Sequence, residues 1–362
     1  MQSIVLTRIA TLGIGAVAAF GCSDVNPITS AGEPGAATTA ALSTPSTAAN
    51  VVRRMGLKRD SNATISAHMK PAAPPPSGLP ATVMLTSQVP PPGDQQDEGS
   101  CTGWAVAYAA KSFQEVVEEA WSPTALNHQF SPSFIYNQTN DGVDMGAWPS
   151  DALNLVVSKG ADTMTSFPYV NGDYVTQPTA ASFEHAAHFL AKSWSTLPIS
   201  ESSFKSVLAA HNIVIVAFDV LPDYMSLNAT TNTVYDDDAG GSLGGHVNAL
   251  IGYDDSLQAF RFINSWGTNW GDAGYGWLAY SMITSAKLNL NAYVLVDGPN
   301  TAILGDADGN LCVDNADYQL LVGSYGACKP SAKYDYRTDF NNDGCVNMKD
   351  YQLWASRRGE GC

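Results

Sequence analysis

Positive charge is scarce in this chain. Lys and Arg number 18 against 34 Asp and Glu in 362 residues, a formal charge of -16. Nucleic acid is not expected as a partner, because phosphate binding needs basic stripes and basic residues are few. Long apolar runs are lacking as well. The longest, Ile9 to Phe20, is too short to span a bilayer stably. Cysteine is nearly missing from the middle of the chain, where Cys101 stands alone between Cys22 and Cys312. The remaining four, Cys312, Cys328, Cys345 and Cys362, crowd into the last 51 residues. An even number in a small segment is the pattern of two disulfides in an oxidising compartment.

What is present divides into four segments. Residues 1–22 read as an export signal: Arg8 precedes the apolar run, and Ala19-Phe20-Gly21-Cys22 is similar to a bacterial lipoprotein cleavage box. Lipidated Cys22 would supply membrane attachment, and the expected location is extracytoplasmic, as a bacterial cell-envelope lipoprotein or a secreted protein. Residues 23–78 are rich in Ala, Thr, Ser and Pro and read as a linker. Residues 79–297 form the folded body. Between Trp104 and Trp121 there is no Gly or Pro, and Ala105, Ala109, Phe113, Val116, Val117 and Ala120 share one helical face. Further helices are expected over 149–159, 180–192 and 201–210. Short β-branched or aromatic runs follow at 213–219, 246–253, 259–264, 274–280 and 292–296. Helices first and strands later predict an α+β body of two lobes rather than an alternating parallel sheet. An acidic tail occupies residues 301–362.

Cys101 sits where the Gly-containing loop Asp94-Gln95-Gln96-Asp97-Glu98-Gly99-Ser100 enters the long helix. A helix N-terminus favours a thiolate, and an imidazole nearby can hold it as an ion pair. Gly245-His246 opens a strand, and Asn264-Ser265-Trp266-Gly267 follows eighteen residues later, then Gly274-Tyr275-Gly276. With Gln95 and Gly99-Ser100-Cys101, these blocks resemble the papain family of cysteine peptidases, in order and over the whole body. The resemblance implies a two-lobed fold and an endopeptidase acting through an acyl-thioester. Cys101 would be the nucleophile, His246 its base and proton donor, and Asn264 the group orienting the imidazole. Gln95, with the Cys101 backbone N–H, would form the oxyanion hole. Trp266 would shield the His246–Asn264 hydrogen bond, and Gly245, Met145 and Gly146 would line the substrate cleft. Thr102 stands where the family usually has Trp, and the cysteine that commonly precedes the nucleophile is absent. Two other readings use the same residues: a transglutaminase-like acyl transferase, and a catalytically silent papain-fold binding module.

The tail contains a duplication. Fifteen residues from Asp306 align without gaps on fifteen from Asp339. Each copy offers oxygen at positions 1, 3, 5 and 12 and a backbone carbonyl at 7, as a calcium EF-hand loop requires. The ligand sets are Asp306, Asp308, Asn310, Cys312 and Asp317, then Asp339, Asn341, Asp343, Cys345 and Asp350, for two Ca2+ ions. Each loop precedes a single helix. Such a pair of half EF-hands resembles the dockerin module, which implies a cohesin domain as partner. In that arrangement, with the copies related by a pseudo-twofold, the expected disulfides are Cys312–Cys362 and Cys328–Cys345.

Overall fold

The computed structural model describes residues 53–72, 78–297, 304–307, 313–341 and 343–360. The export signal with Cys22, the linker up to residue 52, and Cys312 and Cys362 lie outside the described residues.

One helical lobe and one sheet share a single core. Three contiguous helical stretches, Cys101–Gly103, Trp104–Lys111 and Ser112–Glu118, carry the long helix, the middle one π-helical. Ala105, Ala109, Phe113 and Val116 are buried, as the apolar face requires, whereas Val117 and Ala120 are exposed where the helix ends at Glu118. Lys111 is fully buried beside it, ion-paired to Glu115 and, at 2.8 Å, to Asp297. Around this axis pack the helices Pro132–Thr139 and Pro149–Lys159. The first was not foreseen, although Ser131 caps it through Phe134 N and Pro132 opens it.

The strands are β1 (Thr82–Met84), β2 (Ala191–Thr196), β3 (Val214–Val220), β4 (Val234–Tyr235), β5 (Gly244–Asp254), β6 (Ala259–Ile263), β7 (Tyr275–Ala279) and β8 (Asn291–Asp297). They join in the order β2-β8-β3-β5-β6-β7-β4, with β1 added on β5. Every pairing is antiparallel except that of β4 with β7. The expected helix over 180–192 stops sooner: Ala180–Ala186 is α-helical, a 3-10 turn follows, and β2 begins at Ala191. Its polar sequence hides a strand whose pairing with β8 buries Trp194 and Thr196.

The linker reading fails for residues 53–70, which pack on the body. Ser61 caps the helix Asn62–Ala67, and His68 stacks on Trp194 at 3.8 Å. Backbone bonds from Lys70 N to Thr196 O and from Thr196 N to His68 O extend the contact. Ion pairs and backbone pairing hold this segment, and neither leaves an apolar period to read.

In the tail, the helices Asn315–Ser324 and Met348–Arg357 start at capping boxes and enclose a small core of Val313, Leu321, Val346 and Trp354. Cys328 and Cys345 are joined by a disulfide. Arg337 pairs with Glu184 of the body at 2.7 Å.

Phe134 is fully buried between the helical lobe and the loop carrying Phe167. Its replacement by Ala should cost about 3–5 kcal/mol, read as a lower urea midpoint at unchanged m-value.

Candidate active site

Cys101 is the first residue of the long helix, held deep because Gly103 lies against Pro132, where a Cβ would meet the Pro132 carbonyl at 2.5 Å. The backbone amides of Gly56, Val247 and Thr102 lie close enough to its sulfur to offset part of the burial penalty on the thiolate. Val247 follows His246 on β5, so the sheet delivers the imidazole beside the helix start. Register opposite Phe218 of β3 fixes that position.

Asn264 ends the neighbouring strand, and His246 Nε2 donates to its Oδ1 at 2.8 Å. The other ring nitrogen, Nδ1, has no hydrogen-bond partner among the described residues. Trp266 is fully buried with its ring 4.7 Å from the His246 ring, sealing the His246–Asn264 bond from water. Gln95 is anchored by Ser265 Oγ, which donates to its Oε1 at 2.6 Å. Its Nε2 donates to Glu98 O at 2.8 Å and to Arg54 O at 2.9 Å.

That last bond shows what fills the cleft. Residues 53–58 run across it, with the Arg54 carbonyl on the amide expected to bind an oxyanion and the Gly56 backbone near the thiol. Leu57 N donates to Gly245 O at 3.1 Å, Ala147 N to Gly56 O at 2.9 Å, and Lys58 N to Ala147 O at 3.0 Å. The fit admits only glycine: a Cβ on Gly56 would lie 1.7 Å from Gly99 O. Gly146, at φ +89°, has the same constraint from the other side, its Cβ direction pointing 2.1 Å from Gly56 O. Four ion pairs fasten this strap, Arg53–Asp94, Arg54–Asp144, Lys58–Asp141 and Arg59–Asp219, all between 2.8 and 2.9 Å.

Covered this way, the thiol and imidazole are both fully buried. Burial pushes the Cys101 thiol up to about 11 and the His246 imidazole down to about 4. Desolvation thus outweighs the helix dipole, and the pair is neutral between those values.

The cleft wall differs from the expectation in one place. Gly245 pairs with the strap through its backbone as expected and Gly146 touches it, but the other pairing backbone belongs to Ala147, and Met145 is 68% exposed. Sequence reasoning missed Ala147, Asp144 and the strap itself. A signal was present: four of the 18 basic residues fall within the seven positions 53–59, a basic run in an acidic chain.

In the tail, Asp308, Asn310 and Cys312 of the first loop lie outside the described residues, while Asp306 and Asp317 are buried. The second loop is described except for residue 342. Asp339 accepts from Asp343 N and Gly344 N, and Asp350 from Asn341 N and Asn347 N, which wraps the loop around both carboxylates. Asp350 is fully buried, and its pKa is raised by burial, with the Asp339 charge adding. Two buried carboxylates turned into one loop suit a hard cation with oxygen ligands.

The family described as papain family cysteine protease matches residues 82–295. An uncharacterized peptidase C1-like protein of Acanthamoeba polyphaga mimivirus is 21% identical over 250 residues, covering 64% of this chain and 78% of that protein. Among solved structures, xylellain, a cysteine protease from Xylella fastidiosa, superimposes with a TM-score of 0.59 at 25% identity, covering 68% of this chain and 98% of that one. Procathepsin B of Trypanosoma congolense shares the fold, at TM-score 0.54 and 16% identity over 68% of this chain and 87% of its own. The chain carries a cysteine-type peptidase and belongs to the papain family of cysteine proteases.

Proposed function

We propose that the chain is an exported cysteine endopeptidase with Cys101, His246 and Asn264 as its triad, and that residues 53–58 hold it inactive in the form described. The Arg54 carbonyl on Gln95 Nε2 carries this reading, because it marks where a scissile carbonyl is polarised and that place is taken.

With the strap displaced, water reaches the site and the reasons for a high thiol pKa and a low imidazole pKa both weaken. The thiol proton passes to His246 Nδ1, the atom left without a partner, and Asn264 keeps the imidazolium oriented through Nε2. Sγ attacks the peptide carbonyl while Gln95 Nε2 and the Cys101 amide donate hydrogen bonds to the developing oxyanion, each donor worth about 3 kcal/mol. Collapse breaks the C–N bond, His246 gives its proton to the leaving amine, and water hydrolyses the thioester. Export is supported by the signal-like N-terminus and by the Cys328–Cys345 disulfide, which suits an oxidising compartment.

The tail reading is a calcium-stabilised docking module. Its support is the buried carboxylates of the second loop, whose residues Asp339, Asn341, Asp343, Asp350 and the Cys345 carbonyl would hold the ion. The cation would neutralise charge that otherwise opposes folding. Met348 and Tyr351 on one helix, with Val322 and Tyr325 beside the other, are large exposed apolar groups suited to a partner such as a cohesin domain.

Cys101→Ala should abolish cleavage of a casein or peptide-library substrate and remove the site labelled by iodoacetamide; persistent cleavage refutes the triad. Amine incorporation without cleavage would favour acyl transfer. Gly56→Val cannot seat against Gly99, so it should raise both the labelling rate of Cys101 at pH 7 and peptide turnover by at least about tenfold. Equal rates in the two proteins would dismiss the strap as an inhibitor. Millimolar Ca2+ should raise the unfolding midpoint of the tail by several degrees, followed by Trp354 fluorescence, and Asp350→Ala should cancel about half of that shift or more. A midpoint indifferent to Ca2+ and to chelator would remove the calcium reading.

A further inference from the structure

The strap also reports what the cleft prefers to bind. The geometry points to Asp144 as a specificity-determining residue that selects substrates with arginine as the residue acylating Cys101. This inference rests on the peptidase reading and deepens it.

Arg54 does two things at once. Its carbonyl accepts from Gln95 Nε2 at 2.9 Å, and its guanidinium Nη1 lies 2.8 Å from Asp144 Oδ2. The residue whose carbonyl sits on that amide therefore has its side chain within reach of this carboxylate. Asp144 is built for the contact. Its Oδ1 accepts from Gly99 N at 2.8 Å and from Tyr136 OH at 2.6 Å, and its side chain is 10% exposed. One oxygen is thus fixed by the loop that carries the nucleophile, leaving the other to face the cleft.

Two of the other strap acids are different. Asp94 and Asp141 are 41% and 65% exposed, and such surface pairs discriminate little. A nearly buried, prepositioned carboxylate discriminates strongly, because a neutral side chain over it leaves a desolvated charge unpaired. Arginine gains over lysine, since its planar fork suits a carboxylate fixed in one orientation.

The test uses the full-length Gly56→Val protein with two fluorogenic peptides, identical except for arginine or its neutral isostere citrulline before the coumarin amide. We expect kcat/KM to be at least about thirtyfold higher for arginine. Asp144→Asn in the same protein should bring that ratio near one. Asp144 also holds Gly99, so a merely structural role would lower both rates together and leave the ratio intact, which would overturn the proposal. A ratio near one before Asp144 is changed would overturn it too. Arginyl and citrullinyl fluoromethyl ketones, scored by covalent labelling of Cys101, read the same selectivity without turnover. Selective labelling without cleavage of either peptide would leave Asp144 standing and count against the hydrolase reading alone.

Discussion

The hydrogen bond from His246 to Asn264 is the contact on which the site depends, and it exists only because two strands keep register. β5 brings His246 opposite Phe218, β6 ends at Ile263, and Asn264 turns inward with its own N–H held by Gly274 O at 3.0 Å. A slip of one residue in either pairing would turn the imidazole or the carboxamide to the wrong face. Trp266 then covers the bond, and Ser265 anchors Gln95. One short stretch, Asn264 to Trp266, therefore orients the base, shields it and fixes the carbonyl-binding amide.

The second constraint is steric. Three backbones meet without side chains at Gly56, Gly99 and Gly146, and that closeness lets the strap enter deeply enough to cover the thiol. By excluding water from Cys101 and His246, the strap makes an ion pair between them costly. The four ion pairs along the strap are individually weak where exposed; their combined effect is to set where the segment lies rather than how tightly it folds.

Much of the site was legible in the amino-acid order because cysteine peptidase chemistry demands particular residues at particular backbone features. A lone cysteine at a helix start, Gly-His at a strand start and Asn-Ser-Trp-Gly at a strand end are local signals, and each marks a residue that the fold brings together. The strands with alternating or continuous apolar character were legible for the same reason. β2 was not, since Ala191–Thr196 is mostly polar and becomes a strand through its pairing with β8. The strap was hidden more completely. It is held by main-chain bonds and by ion pairs with distant partners, from Asp94 for Arg53 to Asp219 for Arg59, and no local pattern encodes such partners.

By itself the sequence determined the α+β order of elements, the candidates Cys101, His246 and Asn264 for nucleophile, base and orienting amide, and the paired acidic loops of the tail, because each follows from short-range composition and spacing. Only the tertiary structure decided that residues 53–58 lie in the cleft, that Gly245 and Ala147 supply the backbone that pairs with them, and that Asp144 meets the Arg54 guanidinium. Those facts arise where distant backbones approach within a hydrogen bond of one another. Such approaches depend on packing in three dimensions, and the linear order of residues leaves them unspecified.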